Sequence, residues 1–148
     1  MRSGFTLVEL IIALAIVAIL TVATLISINP PQQLAKGRNA QRRSNITYIM
    51  NAVVQNVADN AGTFSCSSGL IPVTSTLMAV STGSYNIAPC LVPNYLPSLP
   101  FDPSASGTRY ASIANYNTGY TIVSNASTGR VTAAAPSAEL GESISVTR

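Results

Sequence analysis

The chain has no histidine and no tryptophan, and only 9% of its 148 residues are charged. Without histidine, a Ser-His-Asp triad, a histidine proton shuttle and a histidine-ligated zinc site are excluded. An ordinary soluble domain carries about 25% charged residues, so the low charge argues against a freely soluble protein. Eight basic and five acidic side chains give a net charge of +3, far from the charge density of a dedicated nucleic-acid-binding protein. The composition therefore favours an apolar partner.

Most of the apolar side chains lie in one run, residues 5–28, in which Glu9 is the only charged residue. As a helix, this run would be about 36 Å long, enough to cross a hydrocarbon layer of about 30 Å. A secretory signal peptide has an apolar run of only about 7–15 residues, so this run is too long for one. A simple single-pass anchor that tethers a binding module remains an alternative.

Glu9 distinguishes this run from a plain anchor. A carboxylate in the middle of a membrane-spanning helix costs about 2.5–3.5 kcal/mol, and less near an end, so a purely structural anchor gains nothing from it. Arg2 forms a short basic leader, and the sequence GFTLVEL follows from Gly4. This motif, continued by a long apolar helix, resembles the class III signal peptide of type IV pilins and type II secretion pseudopilins.

The resemblance implies that a prepilin peptidase removes residues 1–4 by cleavage between Gly4 and Phe5, and then methylates the Phe5 amine. That amine would be positively charged at neutral pH and about 6 Å of helix rise from Glu9. Pairing Glu9 with the Phe5 amine of a neighbouring, axially staggered copy would recover much of the cost of two charges in apolar surroundings. Attraction of Glu9 to the positive end of its own helix, about 0.3–1 kcal/mol, is the milder alternative.

The family resemblance therefore implies a structural subunit of a type IV pilus-like filament, which serves adhesion, twitching motility or DNA uptake. Its partners would be the prepilin peptidase, the cytoplasmic membrane before assembly, and further copies or related pilins in the filament. A pseudopilin of a type II secretion system is the alternative within the family. No enzyme activity and no cofactor are expected.

Pro30 and Pro31 predict a break in the helix, because proline lacks an N–H group and displaces the preceding residue from the helical region. Gly37 is a second weak point, at about 1 kcal/mol relative to alanine. Residues 29–60 are then expected to form an amphipathic helix with one apolar face, made of Ile46, Ile49, Met50, Val53, Val54 and Val57. Four preceding residues predict a basic surface that is solvated or contacts lipid headgroups, a neighbouring subunit or nucleic acid: Lys36, Arg38, Arg42 and Arg43.

Residues 61–148 are rich in Gly, Pro, Ser, Thr and Asn, with short β-prone runs, and predict a small antiparallel sheet packed on the helix, an α+β fold. Candidate strands are residues 70–73, 109–113, 120–124, 130–134 and 143–146, with turns at 117–119 and 125–129. The carboxylates of this head match no catalytic motif, although Asp102 with Glu139 or Glu142 could hold calcium. Two triplets, at Asn45 and Asn125, match the N-glycosylation pattern.

The orientation signals conflict. Four cationic residues beyond the apolar run outweigh Arg2 and would retain the head in the cytoplasm. Cys66 and Cys90, the only cysteines, instead suit a disulfide formed in an oxidising exterior, worth about 3 kcal/mol; two buried thiols are the alternative. Because the leader implies a cytoplasmic N-terminus, we expect a single-pass precursor with its head outside, and a filament on the cell surface after assembly.

Overall fold

The structure is a computed structural model that describes residues 4–148, without the side chains of residues 26–28. Residues 1–3 of the expected leader, Arg2 among them, lie outside the described part. The chain forms two compact units, one up to Ala35 and the other Lys36–Arg148.

Two helices follow each other along the chain. Helix α1 is Leu7–Ile28 and helix α2 is Pro30–Asp59. Between them, Asn29 adopts a left-handed conformation with φ 47°. Pro30 and Pro31 occupy the first positions of α2, where helical N–H groups have no partner within the helix and proline is tolerated. The break is therefore confined to one residue.

Gly37, the second weak point and candidate helix break of the sequence, does not interrupt α2. The preference for alanine over glycine, about 1 kcal/mol, is too small to open a helix of 30 residues. The helix ends at Asp59. Beyond it, Gly62, at φ 86°, donates its N–H to the carbonyl of Val57 at 2.9 Å. This bond satisfies one of the last helical carbonyls.

Five antiparallel strands and a short helix complete the second unit. The strands are β1 Thr76–Ala79, β2 Arg109–Ser112, β3 Asn115–Ser124, β4 Val131–Ala135 and β5 Ile144–Thr147, and helix α3 is Ala88–Leu91. The sheet order is β1-β3-β4-β5, and β2 also pairs with β3. The predicted α+β class, with a long apolar N-terminal helix, a second helix and a small antiparallel sheet, is confirmed.

Two local predictions for the sheet are wrong. Residues 70–73 form no strand, because Pro72 interrupts the run, although its carbonyl accepts a hydrogen bond from the Ser124 N–H at 2.8 Å. Residues 117–119 are not a turn but the middle of β3. The pairing there jumps from Leu77 with Thr121 to Ala79 with Asn117, so the turn-like sequence forms a β-bulge.

The core of the second unit lies between α2 and the sheet. Ile46, Ile49, Met50 and Val53 are buried and belong to one apolar cluster with the inward-facing residues of β3 and β4. Val54 is 43% exposed and lies off this face, contrary to the sequence pattern. A disulfide joins Cys66 to Cys90 of α3 and ties the segment after α2 to this core.

Candidate assembly site

The segment before α1 is exposed and non-helical. Gly4, Phe5 and Thr6 precede the first helical residue, and Phe5 is 81% exposed. Thr6 is extended, with φ −77° and ψ 151°, and its Oγ1 accepts a hydrogen bond from the Glu9 N–H at 3.3 Å. Helix N-caps work in this way, since the first N–H groups have no partner within the helix. The Gly4–Phe5 bond, the cleavage site expected from the sequence, therefore lies just outside a capped helix.

Thr6 is a residue that the sequence reasoning missed. Thr6 and Glu9 have the spacing of a capping box, Ser/Thr-x-x-Glu, directly before an apolar run, and this signal is readable in the sequence. The cap fixes the start of α1, and it places Glu9 in the first turn. The negative charge therefore lies near the positive end of the helix.

The surface of α1 is apolar on every side. The span Leu7–Leu25 has a mean hydropathy of 2.7, and none of it is buried within the chain. The hydroxyl groups of Thr21 and Thr24 donate to the carbonyls of Val17 and Thr21, each at 2.8 Å, so they need no external partner. By length and composition the helix can cross a membrane, and its exposed side chains require apolar surroundings.

The prediction that Arg42 belongs to an exposed basic surface on α2 is wrong. Its side chain is fully buried, and all five guanidinium N–H groups of an arginine have a partner here. Nε and Nη2 donate to the two carboxylate oxygens of Asp102 at 2.7 and 3.0 Å. Nη1 donates to Asn39 and Glu139 at 2.9 and 2.7 Å, and Nη2 also donates to Ser104 at 2.6 Å.

The neighbouring arginines are also paired within the chain. Arg38 donates to both carboxylate oxygens of Glu139 at 2.7 and 2.6 Å, and Arg43 pairs with Glu142. A polyanion such as DNA would have to compete with these carboxylates. The nucleic-acid interpretation thus loses the arginines on which it depended.

We use the name ionic cluster for Arg38, Arg42, Asp102 and Glu139, whose formal charges cancel. Arg42 and Asp102 are fully buried, and the other two are partly exposed. Hydrogen bonds from Arg38 and Arg42 lower the pKa of Glu139 from 4.5 to about 2. Burial tends to raise the pKa of Asp102, but hydrogen bonds from Arg42 and from the N–H groups of Ser104 and Ala105 outweigh it and lower that pKa. Both carboxylates are thus ionised at neutral pH.

The ionic cluster leaves no calcium site at Asp102 and Glu139, because their oxygens already accept from arginine. Within residues 4–148, no group of three or more side chains of the metal-ligating types comes together. Asn39 adds a backbone clamp, since its amide donates to the Glu139 carbonyl at 2.8 Å and accepts from the Glu139 N–H at 3.0 Å. The cluster thus ties residues 102–105 and 139 to α2.

A comparison with protein-family models identifies the N-terminal segment. Residues 1–25 match the prokaryotic N-terminal methylation motif. The chain carries a class III signal peptide. This motif is the signal peptide of type IV pilins and pseudopilins, so the resemblance noted for GFTLVEL is confirmed. No curated protein and no solved structure matches the chain.

The methylation motif includes Gly4, Phe5, Thr6 and Glu9, the residues around the capped start of α1. It supports a type IV pilin-like or pseudopilin protein with a membrane-anchored precursor, and it points to a structural subunit. Residues 61–148, the head, lie outside the matched residues.

Proposed function

We propose that the chain is a structural subunit of a type IV pilus-like filament, which polymerises through α1 after cleavage between Gly4 and Phe5. One observation carries the proposal: the methylation motif at residues 1–25 coincides with a helix that is apolar on every side and bears a single carboxylate. Such a helix suits lipid, and its apolar side chains also suit a bundle of copies of itself, because both surroundings are apolar and a helix satisfies its own backbone groups.

Cleavage is the first step. The bond between Gly4 and Phe5 lies in an exposed, non-helical stretch before the Thr6 cap, as a peptidase substrate requires. A Cβ atom added to Gly4 would meet nothing within 4 Å, so the chain itself does not demand glycine there. A requirement for glycine at this position would therefore come from the peptidase.

Assembly is the second step. Cleavage and methylation leave a cationic Phe5 amine, and Glu9 is the only charged side chain of α1. In a dry bundle of α1 helices, an unpaired carboxylate costs several kcal/mol, whereas a carboxylate paired with the amine of a neighbouring copy recovers much of that energy. The pairing selects one axial stagger between copies. Processing thus converts a membrane anchor into a polymerising helix.

Location follows from these steps. The precursor is a single-pass protein of the cytoplasmic membrane, with its N-terminus inside and residues 61–148 outside, and the mature subunit belongs to a surface filament. Further copies or related pilins are its partners. Adhesion, twitching motility and DNA uptake are the roles such a filament serves.

The test uses cells that carry a prepilin peptidase and a filament assembly machinery. Gly4→Leu should leave an uncleaved precursor, detected by mass spectrometry of the N-terminal peptide. Glu9→Gln keeps the shape and removes the charge, so it should allow cleavage and membrane insertion but abolish filaments in electron micrographs of sheared surface material. Glu142→Gln, which removes a carboxylate from the head, is the control and should give filaments.

Two results would contradict the proposal. A wild-type protein that remains monomeric and still carries Met1 would indicate a simple anchor with a binding module. Filaments from Glu9→Gln in wild-type yield would remove the charge-pairing step. Because pseudopilins share the motif, loss of protein secretion in a strain lacking the chain, without loss of surface filaments, would assign the subunit to a type II secretion system instead.

A further inference from the structure

The chain contains two Asn-X-Ser/Thr triplets, beginning at Asn45 and Asn125. This triplet can accept an N-linked glycan in an exported protein, provided that the asparagine lies on an accessible surface. From the sequence alone, both asparagines are equally suitable glycan acceptors. Their surroundings in the fold make them different.

Asn45 is a structural residue of α2. Its Nδ2 donates to the Phe101 carbonyl at 3.0 Å and to the Tyr120 hydroxyl at 2.9 Å, so both amide hydrogens have partners. The hydroxyl of Thr47, the third residue of the triplet, donates to the Arg43 carbonyl at 2.7 Å. A transferase would have to break these bonds and open the helix, so the folded chain does not offer Asn45 as an acceptor.

Asn125 has the opposite surroundings. It lies in the β3–β4 turn, in which residues 125–130 are all exposed. Its Oδ1 accepts from the N–H groups of Ser127 and Thr128 at 2.9 and 3.1 Å, which holds the side chain by its oxygen. In residues 4–148, neither Nδ2 of Asn125 nor the Ser127 hydroxyl has a hydrogen-bond partner. The reacting nitrogen and the recognition hydroxyl are therefore both available.

A glycan can be attached to this turn without disturbing the sheet. The Asn125 N–H donates to the Arg130 carbonyl and the Gly129 N–H to the Asn125 carbonyl, each at 2.8 Å, so the backbone closes the turn by itself. Beside it lies an open groove of about 410 Å³, which includes Leu70 and Val73, 72% and 65% exposed. The groove leaves room for a glycan next to the turn.

We propose that Asn125 is an acceptor site for an N-linked glycan. In the transfer, Nδ2 attacks the anomeric carbon of a lipid-linked oligosaccharide diphosphate. The N–C bond forms, the bond from that carbon to the phosphate oxygen breaks, and the lipid diphosphate leaves while Nδ2 loses one proton to solvent. The inference rests on the proposed function in one respect, since the donor is used on the outer face of the membrane, where that function places the head.

The test uses the purified full-length chain in detergent micelles, with its disulfide intact, a purified oligosaccharyltransferase and a synthetic lipid-linked oligosaccharide. Mass spectrometry should find one glycan, on Asn125. Asn125→Gln and Ser127→Ala should each lose it completely. Thr47→Ala is the matched control, because it removes the other triplet without changing Asn45, and it should keep the glycan.

Peptides covering residues 41–50 and 120–130 provide the positive control, and both should be modified because neither is held in the fold. A folded chain that stays unmodified while the second peptide is glycosylated would overturn the inference, and so would a glycan on Asn45 of the folded chain. The reaction in micelles requires neither leader cleavage nor polymerisation, so its failure is separate from a failure of the proposed function.

Discussion

Replacement of Arg42 by lysine keeps the positive charge but changes the geometry of its hydrogen bonds. The guanidinium of Arg42 uses five N–H donors on Asp102, Asn39, Glu139 and Ser104. Lysine has three donors on one nitrogen and cannot form the two-bond contact with Asp102. At least two hydrogen bonds are therefore lost in a fully buried site.

Each hydrogen bond to a charged group contributes about 1.5–3 kcal/mol. The loss of two of them lowers the free energy of unfolding by about 3 kcal/mol at the lower value, which corresponds to a decrease in Tm of about 10 °C for a unit of this size. Removal of one partner of a buried ion pair altogether costs about 3–5 kcal/mol. Arg42→Met should therefore be at least as destabilising as Arg42→Lys.

Arg43→Lys is the matched control. The Arg43 side chain is 56% exposed and pairs with Glu142, so the same substitution one residue along the helix should change the stability by only about 0.5 kcal/mol. Guanidinium unfolding of the full-length chain in detergent micelles, followed by near-ultraviolet circular dichroism of the tyrosines, measures both variants. Equal unfolding midpoints for Arg42→Lys and Arg43→Lys would refute the reasoning.

Three further expectations concern the head. Because the pKa of Glu139 falls from 4.5 to about 2 on folding, its carboxylate stabilises the head above about pH 4.5, and this contribution is lost as the pH falls through 2. Across this pH range, the free energy of unfolding should therefore change less with pH in Glu139→Gln than in the unsubstituted chain. The disulfide joins residues that are 24 positions apart, and replacing Cys66 and Cys90 by serine should lower the free energy of unfolding by about 3 kcal/mol. An unchanged midpoint of guanidinium unfolding would contradict this. At Gly119, φ is 74° and a Cβ would lie 2.6 Å from a Thr108 methyl group, so Gly119→Ala should cost about 1–3 kcal/mol more than Gly129→Ala, whose added Cβ meets nothing within 4 Å.

The sequence predicted those features that depend on local pattern. The apolar helix α1 follows from its long apolar run, and the stripe of Ile46, Ile49 and Val53 follows from helical spacing, since both are local properties of the sequence. Most of the strands were also found, with their ends shifted by a few residues. The failures are at places where distant residues decide the local conformation, as at the Asn117–Gly119 stretch, where pairing with β1 turns a turn signal into a bulge.

The ionic cluster shows more clearly that local patterns do not predict features that depend on distant residues. Asn39 and Arg42 precede Ile46 by seven and four residues, so they continue the buried stripe by helical spacing. Because both side chains are polar, a prediction made from the helix alone nevertheless places them on the exposed surface. The acids that neutralise Arg42 are 60 and 97 residues away in the sequence. Burial of Arg42 depends on partners that helical periodicity does not reveal.

This separation along the sequence also has a consequence during synthesis of the chain. The arginines of α2 leave the ribosome early, whereas Glu139, which bonds to Arg38 and Asn39, follows about a hundred positions later. Until then, Arg42 has no complete set of acceptors, and the interior of the head cannot close around it without an unpaired charge. A chain that ends before Glu139 would therefore retain a loosened interior around Arg42.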